Sequence, residues 1–461
     1  MNTGTALALI LTTGVTAGVA GCSYFLKVSP FRYWVYLFLA CVPFDLGAPL
    51  GYIPRISVVD YLSLAALIAL ILKFPPRQIL TQAKDSFGWP LLASWSVALT
   101  YSAILALILH GSLKGVFRWG EFLFIYWVAV LAVQEDRKKL IETAGGLLTV
   151  LGALMAAWAL KQYVLSGFDY KLTYAIFDQH NMFAAYLSLC LPASWAFALT
   201  RPPGGLRTAA AISSGMIAIA FLTSYSRGAW LGMLGGITIV FLRGFWNRRG
   251  PWLSLMIGFL LIMAGSVLPI AWVRYREHIG RPPIVEGLSI NGSHSAPNSH
   301  SRLLTTSQRV FYWKAASDIL RAHPLVGLGP KNYDVKISSY LTGTAHRIYI
   351  EDLQFNGRVN FWQHLHNEYL QILVEQGWIG FILWAAAFSV LILPLFLFNP
   401  TFNSSSWILT AFQVSGFAFL LHNAFDVVFV NSFDLVFVML IAMIAQGIPF
   451  SAMPAVGRAR T

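Results

Sequence analysis

Charge is what this sequence has least of. Only 11% of its 461 residues are Asp, Glu, Lys or Arg, while 57% are hydrophobic. Soluble domains carry roughly 25% charged residues, and no water-soluble core can absorb this much apolar surface, so a polytopic membrane protein is expected. Cysteine is scarce as well: Cys22, Cys41 and Cys190 all fall in apolar runs, which excludes a disulfide framework. The stretch from Met1 to Leu26 lacks a basic leader and a small-residue cleavage site, so it reads as a retained helix and not a signal peptide. No repeat of fixed period occurs. The net charge of +13 is spread over loops and membrane edges without a basic cluster, so nucleic acid is not an expected partner.

Long apolar runs are what the sequence does have. Runs of roughly 20 residues mark spans near 4–25, 31–49, 57–74, 88–109, 117–134, 144–165, 181–199, 207–223, 227–245, 251–273, 376–397, 406–422 and 428–447. The fold class is therefore an all-α polytopic membrane protein of about 12–13 transmembrane helices. Loops on one side hold Lys27, Arg32, Lys73, Arg77, Lys84, Arg137, Lys138, Lys139, Arg201, Arg207, Arg243, Arg248, Arg249, Arg458 and Arg460. The other side's short segments hold fewer than half as many: Arg55, Lys114, Arg118, Lys161, Lys171 and Arg227. The excess of basic residues puts the first set in the cytoplasm. All ten histidines then fall at or beyond the outer face, which is where titratable chemistry belongs.

Four regions follow. Residues 1–180 are amino-terminal membrane helices, 181–273 are membrane helices that include Arg227, 274–375 form a long external loop with Arg309 and His366, and 376–461 are carboxy-terminal membrane helices. The external loop has two parts. The stretch 277–306 is rich in Gly, Pro, Ser, Asn and His and reads as mobile. From 308 to 322, Val310, Trp313, Ala316, Ile319 and Leu320 recur at helical spacing, the pattern of an amphipathic helix on a membrane surface. His323-Pro-Leu-Val-Gly-Leu-Gly-Pro330 stops it. Residues 368–376 read as a short helix leading into the next span.

Arg227 follows Ser224 and Ser226, either of which can cap the helix that Arg227 opens. A helix amino terminus presents free N–H groups to an anion, and a guanidinium adds a two-pronged fork for phosphate oxygens. The plainer alternative is an interfacial arginine reaching for lipid headgroups. Gly228, Gly232 and Gly236 recur every fourth residue, which lets a neighbouring helix approach closely. His366 carries the side chain best suited to accept a proton near neutral pH. Asn367 or Glu368 can cap the helix after it, and Glu368 or Glu375 can orient the imidazole. His364 and His366 also admit a zinc reading, which needs further ligands. Arg309 opens the surface helix on the same outer side, with Arg302 its rival. Asp426 either lines the site or caps a helix. Glu121, expected at mid-span with Arg118 one turn before it, is either functional or half of an ion pair that locks helices. No Asp-x-Asp pair occurs, the usual metal-holding device of enzymes that use nucleotide sugars, and this favours a metal-free site.

At these residues the chain resembles the O-antigen ligase and polymerase family of bacterial membrane glycosyltransferases. The likeness rests on Ser226-Arg227-Gly228, on Arg309-x-x-x-Trp313 followed by His323-Pro-Leu-Val-Gly-Leu-Gly-Pro-Lys-Asn332, and on His366-Asn-Glu-Tyr-Leu-Gln-Ile-Leu-Val-Glu-Gln-Gly377. It covers roughly residues 180–380, with Asn181 and Pro192 as weaker echoes. The resemblance implies an inverting transfer, without metal or other cofactor, of a glycan from undecaprenyl pyrophosphate to an acceptor outside the cytoplasmic (inner) membrane, as in lipopolysaccharide and other surface polysaccharide assembly. It implies that Arg227 and Arg309 bind the pyrophosphate and that His366 is catalytic. The active site would face the periplasm or exterior. The acceptor would be a glycolipid (ligase), a further glycan repeat (polymerase) or a protein hydroxyl (protein O-oligosaccharyltransferase). Some relatives have been described as inorganic-carbon transporters, but a transporter places polar residues deep within its spans, and here they gather at the outer face.

Overall fold

The computed structural model describes residues 21, 24, 31–44, 58–168, 174–177, 179–245, 275, 301–341, 364–398, 404–427 and 433–446. These form helices α1 (Phe31–Cys41), α2 (Val58–Lys73), α3 (Pro76–Ile108), α4 (Leu113–Leu165), α5 (His180–Thr200), α6 (Gly205–Thr223) and α7 (Arg227–Phe245). After them come α8 (Ser301–Ala322), α9 (Tyr333–Lys336), α10 (Glu368–Leu397), α11 (Ser404–His422) and α12 (Phe433–Ala445), and no strand occurs among the described residues. The protein is an all-α polytopic membrane protein. Gly88–Ile108, Gly115–Leu165, His180–Thr200, Gly205–Thr223 and Glu368–Leu397 are long and apolar enough to cross a bilayer. Phe31–Phe44, Arg227–Leu242, Ser406–His422 and Phe433–Ala445 are shorter apolar helices. Each expected span coincides with a described helix or helix arm, except 4–25 and 251–273, which lie outside the described residues, as does most of 277–306.

Two arms make up α4. Its 53 residues would run about 80 Å unbroken, more than twice the roughly 30 Å hydrocarbon thickness. The helix is broken at Asp136, where φ is −160° and ψ is 83°. Asp136 Oδ1 accepts the Lys139 N–H at 3.1 Å and so starts the second arm. At this end the Glu135 carboxylate also accepts the backbone N–H groups of Phe31 (2.9 Å) and Arg32 (3.3 Å). Lys73 Nζ lies 4.3 Å from the Phe31 ring centroid.

The opposite end is tied by Arg118. Its guanidinium meets Glu121 at 2.5 Å, Asp434 at 2.7 Å and Asp60 at 3.6 Å, and Ser63 Oγ donates to Glu121. Asp60 and Asp434 sit in the first turns of α2 and α12, so Glu121 is not at mid-span as expected: it lies level with two helix starts, near one end of the bundle. The locking alternative is the one the structure supports, since one arginine joins α2, α4 and α12. In a bilayer, where lipid is as apolar as leucine, such polar ties and close packing replace the hydrophobic drive between helices.

The small-residue stripe of α7 works in this way. A methyl group on Gly232 would lie 2.5 Å from the Ala418 carbonyl oxygen, and one on Gly236 would lie 2.7 Å from that of Val414. The neighbour that the stripe admits is α11. Helix α8 buries Tyr312, Ala315, Ala316, Ile319 and Leu320, close to the expected apolar face, and it packs against α10. Its start at Ser301 is earlier than the expected 308.

A break in α10 completes the frame. At Gly377 φ is +65° and ψ is −174°, which separates the half-helix 368–376 from the long arm. The 323–330 loop inserts there. Leu328 and Gly329 N–H donate to the carbonyls of Val374 (3.1 Å) and Glu375 (2.8 Å), and Trp378 N–H donates to that of Pro324 (2.9 Å). A side chain on Gly377 would meet the Leu325 carbonyl at 2.3 Å. The loop thus takes up backbone groups that the break frees, which a helix interrupted inside a membrane protein requires.

Candidate functional site

His366 sits in the turn that starts the half-helix. Its φ is +50°, a left-handed conformation rare outside glycine that persists only where its surroundings enforce it. Three contacts enforce it. Asn367 Oδ1 accepts the Leu370 N–H at 3.0 Å, making Asn367 the expected helix cap. Glu368 N–H donates to the Asn423 carbonyl at 3.0 Å, and Tyr369 Oη donates to the Leu420 carbonyl at 2.7 Å. The His366 ring is thereby fixed beside the turn that follows α11.

That turn supplies its partner. Asp426 Oδ1 lies 3.1 Å from His366 Nδ1, while Asp426 Oδ2 accepts from Asn181 Nδ2 at 2.6 Å. Burial pushes the Asp426 carboxyl up, but His366, Arg309 and His422 outweigh it and hold the group well below the usual carboxylate range. An ionised carboxylate can only accept, so Nδ1 carries the hydrogen, and in the neutral ring the lone pair is then on Nε2. This corrects the expected orienting role of Glu368 and Glu375. Glu375 is taken up by the Lys331 N–H (2.8 Å) and Gln371 (3.1 Å), and Glu368 Oε2 has no hydrogen-bond partner among the described residues. Asp426 reaches the ring from another helix end. Tyr312 covers the ring, with centroids 5.6 Å apart.

Arg309 acts on this pair, and Arg227 stands one residue from a contact with His422. Arg309, half-buried on α8, lies within electrostatic reach of Asp426 and His422. Arg227 is the exposed first residue of α7. The next residue, Gly228, packs so closely on the His422 ring that a methyl group there would lie 2.9 Å from it. Of the two expected caps, Ser226 stands at the cap position, its carbonyl accepting the Trp230 N–H at 3.0 Å. Its buried hydroxyl has no hydrogen-bond partner among the described residues, and neither do the ring nitrogens of His422. The α7 amino terminus, with the free N–H groups of a helix start, therefore stands against His422, which Arg309 also reaches electrostatically. Such an array holds a multiply charged phosphate ester, and an imidazole with a free lone pair next to it can accept a proton.

The remaining expected residues are placed as follows. Burial, and after it the nearby Lys331 charge, lowers the His364 pKa to about 4, so it is neutral at pH 7. Among the described residues no three His, Cys, Asp or Glu side chains group as metal ligands, and the zinc reading of His364 and His366 finds no third ligand there. The Arg302 side chain lies outside the described residues. Asn181, Tyr312 and His422 had no assigned role from sequence. Their signals were slight: an Asn at an outer helix start, a Tyr one turn after Arg309, and a His four residues before Asp426.

A family model described as O-antigen ligase matches residues 212–385. This segment runs from α6 through the α7 amino terminus, α8 and the half-helix into the long arm of α10. No curated protein matches the chain.

Proposed function

We propose that the chain is a member of the O-antigen ligase family, whose model matches residues 212–385, and that it acts as a ligase in surface polysaccharide assembly. It would move a glycan from undecaprenyl pyrophosphate to an acceptor hydroxyl at the outer face of the bacterial cytoplasmic membrane. The observation that carries this reading is the His366–Asp426 pair beside Arg309 and the α7 amino terminus. Those groups match the demands of the reaction. Pyrophosphate is already a good leaving group, so the protein has to bind its developing charge and take a proton from the acceptor.

In this scheme Arg227, Arg309 and the free N–H groups of α7 hold the diphosphate, the cations taking the part that a divalent ion has elsewhere. His366 Nε2 removes the acceptor hydroxyl proton as that oxygen attacks the anomeric carbon. The carbon–oxygen bond to the pyrophosphate breaks on the opposite face, which gives inversion, and the electron pair stays on the diphosphate. Asp426, through Nδ1, fixes the ring's tautomer and stabilises the imidazolium that forms. Asn181 holds Asp426 in place. Fixing donor and acceptor in one cleft supplies much of the remaining acceleration.

The test is glycan transfer by the full-length protein in lipid nanodiscs, with H366A, R227A and R309A each compared with the unaltered chain. Each substitution should lower transfer by about 10²-fold or more without altering membrane insertion, and full transfer by H366A would overturn the mechanism. The material left on the carrier in a deletion strain separates the branches. Finished polymer there indicates a ligase, whereas single repeats indicate a polymerase.

A further inference from the structure

Two breaks isolate a short helix at the Glu135 end of the bundle. The chain bends by 112° between Val59–Lys73 and Arg77–Ser86, where Pro75 takes the cap position and Pro76 the first turn of α3. Gly88, with φ +69° and ψ 156°, then separates Arg77–Ser86 from the arm Gly88–Ile108. The segment therefore runs across the axis of α2 instead of continuing it. Its faces differ. Ile79 and Ala83, one turn apart, pack on the hydrophobic core, while Arg77, Thr81, Lys84 and Asp85 are exposed. An apolar face inward and a charged face outward is the form of a helix that lies in a membrane interface.

Other cations reach the same place. Phe31, whose N–H is held by Glu135, stacks on Phe74 with centroids 6.0 Å apart and also carries the Lys73 ammonium over its ring. The corner between α2 and α3 thus adjoins the break in α4, after which Arg137, Lys138 and Lys139 are exposed. The two acids of that break are already engaged: Glu135 takes the N–H groups of Phe31 and Arg32, and Asp136 takes the Lys139 N–H and pairs with Arg32 at 3.7 Å. Asp85 is the one acid in Arg77–Ser86. Lys84 Nζ lies 5.5 Å from the Trp89 ring centroid, a contact that orients an ammonium without cancelling its charge.

We propose that this corner is a docking site for an anionic phospholipid, with Arg77 and Lys84 holding the phosphate, the 137–139 run adding to the positive field, and Trp89, Ile71 and Leu72 meeting the acyl chains. The apolar rim selects an amphiphile. Trp89, Ile71 and Leu72 are 63%, 53% and 54% exposed, and they stand beside the cations: Trp89 lies under Lys84, and Ile71 and Leu72 immediately precede Lys73. A soluble anion would satisfy the basic groups and leave this rim uncovered. A neutral lipid would cover the rim and bring no counter-charge. A lipid with an anionic head does both. Arg118, Lys331 and Glu368 border one space at the other end of the first α4 arm, so the corner is separate from the His366 half-helix and independent of the function proposed above.

Native mass spectrometry of the full-length protein released from detergent tests the site with phosphatidylglycerol and, as neutral control, phosphatidylcholine of the same acyl chains. The unaltered chain should hold phosphatidylglycerol about tenfold more tightly than phosphatidylcholine. The double substitution R77Q/K84Q should abolish that preference, whereas W89A should weaken both lipids alike. R207Q alters an exposed cation outside the corner and should leave the preference in place. Glycerol 3-phosphate, an anion without acyl chains, should not displace the lipid at equal concentration. All four altered side chains are exposed, so the variants report on binding and not on folding. Three results would overturn the site: no preference in the unaltered chain, an equal loss in R207Q and R77Q/K84Q, which would mean diffuse surface charge, or displacement by glycerol 3-phosphate, which would mean a soluble anion.

Discussion

The His366 imidazole is useful only with its hydrogen on Nδ1, and that placement depends on a carboxylate that stays ionised. D426N removes the obligatory acceptor and offers an amide N–H that can force the other tautomer. Transfer should fall about 10²-fold or more without recovery at higher pH, whereas N181A, which only loosens Asp426, should cost about tenfold. Comparable rates for D426N and the unaltered protein would show that the pair is structural. His364 makes a separate statement about stability. Its folded pKa of about 4 lies below the ordinary value of 6.5, so the unfolded chain takes up the proton first as pH falls. Its contribution is intact above pH 6.5 and declines between 6.5 and 4, by about 2 kcal/mol at pH 5. Thermal unfolding at pH 7 and pH 5 should therefore show a smaller drop for H364N than for the unaltered chain, and parallel drops would contradict this.

Elements set where those residues stand. Contact between α7 and α11 brings the Arg227 turn to His422, and it depends on the bare faces of Gly232 and Gly236. Replacing Gly236 with Leu drives a side chain into the α11 backbone. It should cost about 1–3 kcal/mol or more, visible as a lower unfolding temperature in detergent together with weaker pyrophosphate binding. Weaker binding without destabilisation would mean that the stripe has no packing role. The half-helix has a similar dependence at Gly377, whose positive φ and contact with Leu325 leave no room for a Cβ. G377A should strain both the break and the loop that fills it. The sequence showed these elements unevenly: the α7 stripe and the 368–376 half-helix were legible from spacing, but the loop that seals the break was legible only as a helix stop. Spacing along a chain states what a face can accept, not which helix arrives.

Across the whole molecule, one end is held together by Arg118 and the other by Glu135 and Asp136. Removing one partner of a buried charged set leaves the rest uncompensated, so D434N should destabilise the protein by about 3 kcal/mol, read as a fall in unfolding temperature. The excess of basic residues puts the Arg118 end outside, as an expectation. In a chain whose native cysteines are replaced, Lys331→Cys should react with a membrane-impermeant maleimide on whole cells with permeable outer envelopes, and Lys138→Cys should not. The reverse pattern would invert the orientation and with it the proposed donor.

Composition and periodicity determined by themselves that this is an all-α membrane protein, roughly where its helices run, and that Arg227, Arg309 and His366 deserved notice. Those conclusions follow from local requirements: a bilayer-spanning helix needs an unbroken apolar run, and a guanidinium or imidazole has its chemistry wherever it stands. The ordered motifs also pointed to the family later matched over residues 212–385. Only tertiary structure decided that Asp426, and neither Glu368 nor Glu375, meets the imidazole, and that Glu121 belongs to a lock at one end of the bundle. It alone brought Asn181, 245 positions away, onto Asp426. Which acid meets which base depends on the angle and depth at which separate helices pack, and those are set by side chains far apart in the chain.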